Sequence, residues 1–161
     1  MKIKFLLEYT DSPFWSEDEE SRKLFGNNIE LKELNLSKSA MVRLNSIMNL
    51  YYSKLNPVYQ GLPSLWSGRM NLFFQMFLKQ VYSELKLELE NKFELTNYEQ
   101  KLMDNEIDVE QVDKNLTEFM NDPSEYADKN GINYKSKLEF NNKIRLAKEQ
   151  AEKLEFEWTT I

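Results

Sequence analysis

The sequence contains no cysteine and no histidine. Without cysteine, disulfide bonds, a thiolate nucleophile and iron–sulfur clusters are excluded. Without histidine, the chain lacks the usual general base and the commonest ligand of transition metals, so ordinary zinc sites are excluded too. We therefore predict that the protein uses no cofactor and no metal.

Glycine is scarce, and its four residues never cluster. The chain consequently has neither the dinucleotide-binding fingerprint nor the P-loop pattern. A Ser–His–Asp triad needs a histidine and cannot form. The residues leave open a Ser–Lys pair or a pair of carboxylates, so a small enzyme using carboxylates, lysine or tyrosine stays an alternative. Our first expectation is a protein without catalytic residues.

Long apolar runs are also missing. Glu8 ends the first one, Phe5–Leu7, after three residues, whereas a secretory signal needs about 7–15. No later segment offers the roughly 18 charge-poor apolar residues of a membrane helix. We expect a cytoplasmic protein that binds no membrane. The net charge of −6 also disfavours nucleic-acid binding, which needs concentrated basic charge.

The most apolar stretch runs from Ser64 to about Lys92 and predicts a helix over 65–90 with Ser64 as its N-cap. A preceding helix is predicted over 38–55, and the two should pack antiparallel because a short loop joins them. The central helix carries apolar side chains at steps of three and four, and we predict burial of Trp66, Met70, Phe73 or Phe74, Phe77 and Leu85.

Alternating residues predict a strand over 2–9, with Ile3, Phe5, Leu7 and Tyr9 on one face. The short run Phe93–Leu95 is its expected partner. Beyond residue 98 the pattern predicts further helices, with caps at Asp108, Asp122 and Ser136. The predicted fold is therefore α+β and predominantly helical: an antiparallel helix pair, a two-stranded sheet and a helical C-terminal part. We expect one domain over 1–161, with a core at 1–98 and an acidic part at 99–161.

Acidic residues concentrate in one segment of that C-terminal part. Residues 99–128 hold ten acids against Lys101 and Lys114, a net charge of −8. Four acids stand at every second position, as in a calcium loop, and a fifth follows three residues later: Asp104, Glu106, Asp108, Glu110 and Asp113. An EF-hand loop needs Gly at position six and Glu at position twelve. Counted from Asp104, those positions hold Val109 and Asn115.

These five acids therefore predict no calcium site. One interpretation is a solvated helix start, since carboxylates favour the positive end of the helix dipole. The other is a surface that binds a basic partner. We carry the five forward as candidate partner-binding residues.

Residues 1–96 resemble a group of small bacterial proteins. The features they share are an aromatic–proline–tryptophan motif after a first strand, a Leu-Ser helix cap and an Arg-Leu pair, found here as Tyr9, Ser12-Pro13-Phe14-Trp15, Asn35-Leu36-Ser37, Arg43-Leu44 and Tyr51. The group is similar to immunity proteins, which neutralise toxins of interbacterial competition. The chain departs from it in the acidic segment 17–20 and throughout the tail after residue 98.

The resemblance implies a non-catalytic protein that binds and neutralises a cognate toxin. Because many such toxins are basic nucleases, an acidic inhibitor would gain association rate and selectivity from its opposite charge. The alternative binder is a phage- or mobile-element-encoded inhibitor whose acidic helices mimic nucleic-acid phosphates. The expected partner is therefore a protein, a basic toxin domain, rather than nucleic acid.

Overall fold

The predicted α+β, predominantly helical class is confirmed by a computed structural model that describes residues 1–160. A short 3-10 helix, Leu31–Leu34, precedes α2. In chain order the other elements are β1 Lys2–Phe5, β2 Phe14–Ser16, α1 Glu19–Phe25, α2 Lys38–Ser53, α3 Gly68–Leu89, β3 Glu94–Asn97, α4 Gln100–Asp104, α5 Val109–Asn121, α6 Pro123–Lys129 and α7 Lys137–Thr159.

The chain forms two compact units, each made of two segments. The first unit holds residues 1–51 and 74–105, and the second holds residues 52–73 and those from Glu106 onward. Helices α2 and α3 contribute residues to both. The expectation of a single domain stays a prediction.

The sheet of the first unit has three strands in the order β2–β1–β3. The pairing of β1 with β3 is as expected, and it is parallel. The prediction of only two strands was wrong, because β2 pairs antiparallel with β1 through Phe14 and its neighbours. Three residues are too few for alternation to be visible in the sequence. Strand β1 also ends earlier than predicted, and Tyr9 is exposed rather than buried on the inner face.

Helices α2 and α3 lie antiparallel within the first unit, as predicted. From one contact to the next, the residue number increases along α2 and decreases along α3. At one end the Ser37 hydroxyl donates to Glu88 Oε2 at 2.9 Å, and at the other Tyr51 stacks on Phe74 with 6.3 Å between ring centroids. An ion pair between Arg43 and Glu84 lies between them.

Burial along α3 follows a slightly different line from the predicted one. Trp66, Met70, Phe74 and Leu85 are buried as expected, but Phe77 is only half-buried and Leu78 is fully buried instead. The buried residues are four positions apart here, from Met70 to Phe74 to Leu78. The prediction instead placed a step of three residues, which led to Phe77. The predicted cap at Ser64 was also wrong: α3 begins at Gly68, and the Ser67 hydroxyl accepts the Met70 N–H at 3.0 Å.

The second unit has its own apolar core, built from the loop before α3 and from helices α5, α6 and α7. Asp108 caps α5 and Ser136 caps α7, as predicted. The buried cluster consists of Leu62, Leu65, Leu116, Phe119, Ala127, Phe140, Ile144 and Ala147. No helix within residues 1–160 is long and apolar enough to cross a membrane.

Candidate functional site

The five candidate acids do not act alike. Asp104 belongs to the first unit, whereas Glu106, Asp108, Glu110 and Asp113 belong to the second. The five carboxylates also differ in their hydrogen bonds and in their exposure.

Two of the five carboxylates are engaged within the second unit. Asp108 Oδ1 accepts the Gln111 N–H at 2.9 Å as the cap of α5. Asp113 is half-buried, and its Oδ1 accepts the N–H of Gly68 at 2.7 Å. This bond satisfies a donor in the first turn of α3, which has no partner within its own helix. Asp108 and Asp113 thus support helix ends.

Asp104 is exposed at the end of α4 and has partners in the first unit. Its carboxylate lies 3.8 Å from Lys79 Nζ and accepts a hydrogen bond from the Gln100 amide. The buried amide of Gln75 holds the same chain segment, donating to the carbonyls of Leu102 at 3.0 Å and Asn105 at 2.6 Å. In the sequence Gln75 is the one polar residue between Leu72 and Leu78, a pattern that gives no sign of these bonds.

Glu106 and Glu110 remain. Both side chains are exposed, and no hydrogen bond or ion pair joins either one to another residue between 1 and 160. Nor does either residue cap a helix. They are the two members of the predicted set whose charge is fully available to a partner.

Further acids of the 99–128 segment also have distinct roles. Asp122 caps α6, and its pKa is lowered by hydrogen bonds from the Glu125 N–H and the Ser124 hydroxyl. Asp128 accepts from the Tyr134 hydroxyl at 2.7 Å, which lowers the pKa of its carboxyl. Glu118 is exposed and, like Glu106, has no bonded partner in the described part of the chain.

The second unit contains two sizeable cavities that the sequence did not reveal. One of about 1150 Å³ lies between the loop that follows α2 and helix α7. The other, of about 670 Å³, is lined by the segment before α3 and by α5 and α6. A ligand pocket typically measures about 300–1,000 Å³, so the smaller cavity falls inside that range. Trp66 and Tyr126 lie on its wall, but aromatic residues in a sequence suit a core equally well.

A polar cluster in the first unit surrounds the half-buried carboxyl of Glu99. Its Oε1 accepts the Leu7 N–H at 2.6 Å. Burial raises the pKa of Glu99, the Leu7 hydrogen bond opposes this, and the charge of Glu8 adds to it. Nearby, burial and the Tyr9 hydroxyl raise the pKa of Tyr51 to about 12, while the two rings stack with centroids 5.2 Å apart.

We predict that Glu99→Gln stabilises the protein at pH 7. Because the folded-state pKa is raised, the folded chain holds this proton more tightly than the unfolded chain. The contribution of Glu99 to stability is therefore greatest below its ordinary pKa of 4.5 and falls as the pH rises through the higher folded-state value. Glutamine stays neutral and keeps an acceptor for Leu7. We expect a melting temperature about 1–3 °C higher at pH 7, allowing for partial exposure.

The measurement is thermal unfolding of both proteins between pH 3 and pH 8. The gain should vanish near pH 3, where Glu99 is protonated in both states. Glu90→Gln is the matched control, since Glu90 is exposed and its substitution should leave thermal unfolding unchanged. A gain at pH 3 equal to that at pH 7 would refute the explanation.

Within residues 1–160, no group of three or more Asp or Glu side chains is placed to hold a metal ion. Comparison of the chain with protein-family models, curated proteins and solved structures gives no match. The immunity-protein resemblance therefore stays a prediction, and the chemistry of the surface is the basis for any functional conclusion. That surface offers carboxylates suited to binding cations.

Proposed function

We propose that this protein is a non-catalytic inhibitor that binds and neutralises a basic bacterial toxin domain in the cytoplasm. The observation that carries the proposal is the exposure of Glu106 and Glu110 without any partner among the described residues. Both lie in a segment whose net charge is −8. No hydrogen bond or ion pair within residues 1–160 uses their charge, so an external cation is the natural counterpart.

Electrostatics favours binding of a basic partner at this surface. Exposed like charges repel one another, although salt screens them over about 8–10 Å. A basic partner relieves that repulsion on binding. It is also attracted during encounter, and such steering raises association rates about 10- to 1,000-fold at low salt.

The composition of the chain supports the non-catalytic part of the proposal. General acid–base and nucleophilic catalysis most often employ histidine or cysteine, and the sequence has neither. An occluding inhibitor needs no reacting group, only a complementary surface. The proposed protein therefore acts by covering its partner.

The test is the association rate with the purified product of a toxin gene encoded immediately upstream, measured against ionic strength. The variant Glu106→Lys/Glu110→Lys should bind about tenfold more slowly at low salt, with a flatter salt dependence, because two attracting charges become repelling ones. Folding should change little, since exposed charges contribute about 0–1 kcal/mol.

Glu33→Lys/Glu90→Lys is the matched control, because both residues are exposed and the net charge changes equally. It should retain most of the wild-type rate. If all three proteins associate at the same rate and with the same salt slope, the acids at 106 and 110 do not face the partner. If the toxin does not bind the wild type at all, the proposed inhibitor function fails for that partner.

A further inference from the structure

The smaller cavity of the second unit combines an aromatic wall with an acidic rim. It occupies about 670 Å³, and its walls come from the segment before α3 and from helices α3, α5 and α6. Its volume is ample for one long side chain and part of the backbone that carries it. None of the five acids singled out in the sequence lines it.

Aromatic side chains form the inner wall. Phe119 and Tyr126 meet edge to face, with 5.3 Å between ring centroids and an interplanar angle of 85°. Both residues line the cavity. Phe119 is almost fully buried, whereas Tyr126 is only half-buried. Lys54 Nζ already lies 5.9 Å from the ring centroid of Trp66, so Tyr126 is the ring that we assign to an incoming cation.

Carboxylates form the rim of the cavity. Glu118 lies on α5, and Asp122 lies directly after the end of that helix. Glu125 joins them from α6. Lys129 also lines the cavity, but its ammonium lies 3.0 Å from Glu125 Oε1 and its charge is matched there. Glu118, which has no bonded partner among residues 1–160, leaves the rim with excess negative charge, and the carboxylate of Asp122 adds to it while capping α6.

We propose that this cavity receives an arginine side chain of the basic partner. A guanidinium is planar, stays charged, stacks on aromatic rings and donates in a fork to carboxylates, and it sheds water more readily than an ammonium. An aromatic ring beneath a carboxylate rim suits these properties together. The inference rests on the proposed function for the source of the arginine, but the chemistry of the cavity is testable without any toxin.

The probe is N-acetyl-arginine methylamide, titrated into the full-length ¹⁵N-labelled protein and followed by amide and indole chemical shifts. Saturable shifts should be confined to residues lining the cavity, with a dissociation constant of about 1 mM, as expected for so small a ligand. The citrulline analogue, a neutral isostere, should not bind. The lysine analogue, with an equal charge but no planar fork, should bind several-fold more weakly.

Variants then locate the site. Glu118→Lys should abolish probe binding, and Glu118→Gln should weaken it about three- to fivefold, within the range for an exposed charge pair. Tyr126→Leu should weaken it by a similar factor. Glu90→Lys lies outside the cavity and should bind as the wild type does. Because Glu118 is exposed, its variants should keep the wild-type spectrum even if Tyr126→Leu does not fold.

Three results would overturn the inference: equal binding of the citrulline analogue, equal binding of the lysine analogue, or shifts spread over the whole acidic surface. Failure of the cavity and failure of the inhibitor function are distinguishable. A toxin that binds wild type and Glu118→Lys equally, together with no probe binding, rejects the cavity and leaves the function. Probe binding in the cavity without any toxin binding supports the cavity and rejects the inhibitor function.

Discussion

Replacing Phe74 by alanine should lower the free energy of unfolding by about 3–5 kcal/mol, the cost typical of truncating a buried phenylalanine. The ring is only 1% exposed and stacks on Tyr51 at 6.3 Å. Its removal leaves a cavity at the point where α2 and α3 lie antiparallel in the first unit. Urea unfolding followed by circular dichroism gives the value directly.

Phe77→Ala is the matched control for Phe74→Ala. It removes the same atoms from the same helix, but the Phe77 ring is only half-buried. Its loss should be nearer 1–2 kcal/mol, in proportion to the apolar area already exposed. An equal or larger loss of stability in Phe77→Ala would show that the Phe77 ring is packed at least as tightly as the Phe74 ring.

Gly68→Ala should destabilise the second unit by about 3 kcal/mol, near the upper end for overpacking. In an ordinary helix the same change would be favourable by about 1 kcal/mol. Here an added Cβ would lie 2.6 Å from both the Cα and the carbonyl oxygen of Val109. These are backbone atoms, so the start of α5 would have to shift, and with it the hydrogen bond from the Gly68 N–H to Asp113.

Thermal unfolding of Gly68→Ala and of the double variant Gly68→Ala/Val109→Ala tests the source of that loss. Shortening the Val109 side chain should restore little, because its backbone atoms make the closest contacts. Hydrogen exchange should show weakened protection at the first turns of α3 and α5. A Gly68→Ala protein as stable as wild type, or full rescue by Val109→Ala, would contradict this reading.

Much of the fold was predictable because local signals decided it. The caps at Asp108 and Ser136 and the pairing of β1 with β3 follow from short-range patterns and from the need of a strand for a partner. The burial of Leu78 rather than Phe77 does not follow from such short-range patterns. Both lie near the apolar face of a helix with 3.6 residues per turn, and tertiary packing rather than a local pattern decides between them.

The candidate site was less predictable, because charge counting treats all acids alike. Asp113 accepts a hydrogen bond from the N–H of Gly68, which lies 45 positions away in the sequence. No sequence pattern marks that N–H as its donor. Glu106 and Glu110, with the same charge, have no such partner among residues 1–160. The cavity beside Glu118 depends on the placement of α5, α6 and the segment before α3, which no local pattern fixes.

The central place of β1 in its sheet affects the protein while it is being made. Its antiparallel neighbour β2 leaves the ribosome soon after it, but its parallel neighbour β3 begins only at Glu94. At about 5–20 residues per second, that wait lasts roughly 5–20 s. Throughout it, one edge of the first strand offers unpaired N–H and C=O groups to any other extended chain. Pairing with β3 closes that edge only after residue 97 has emerged.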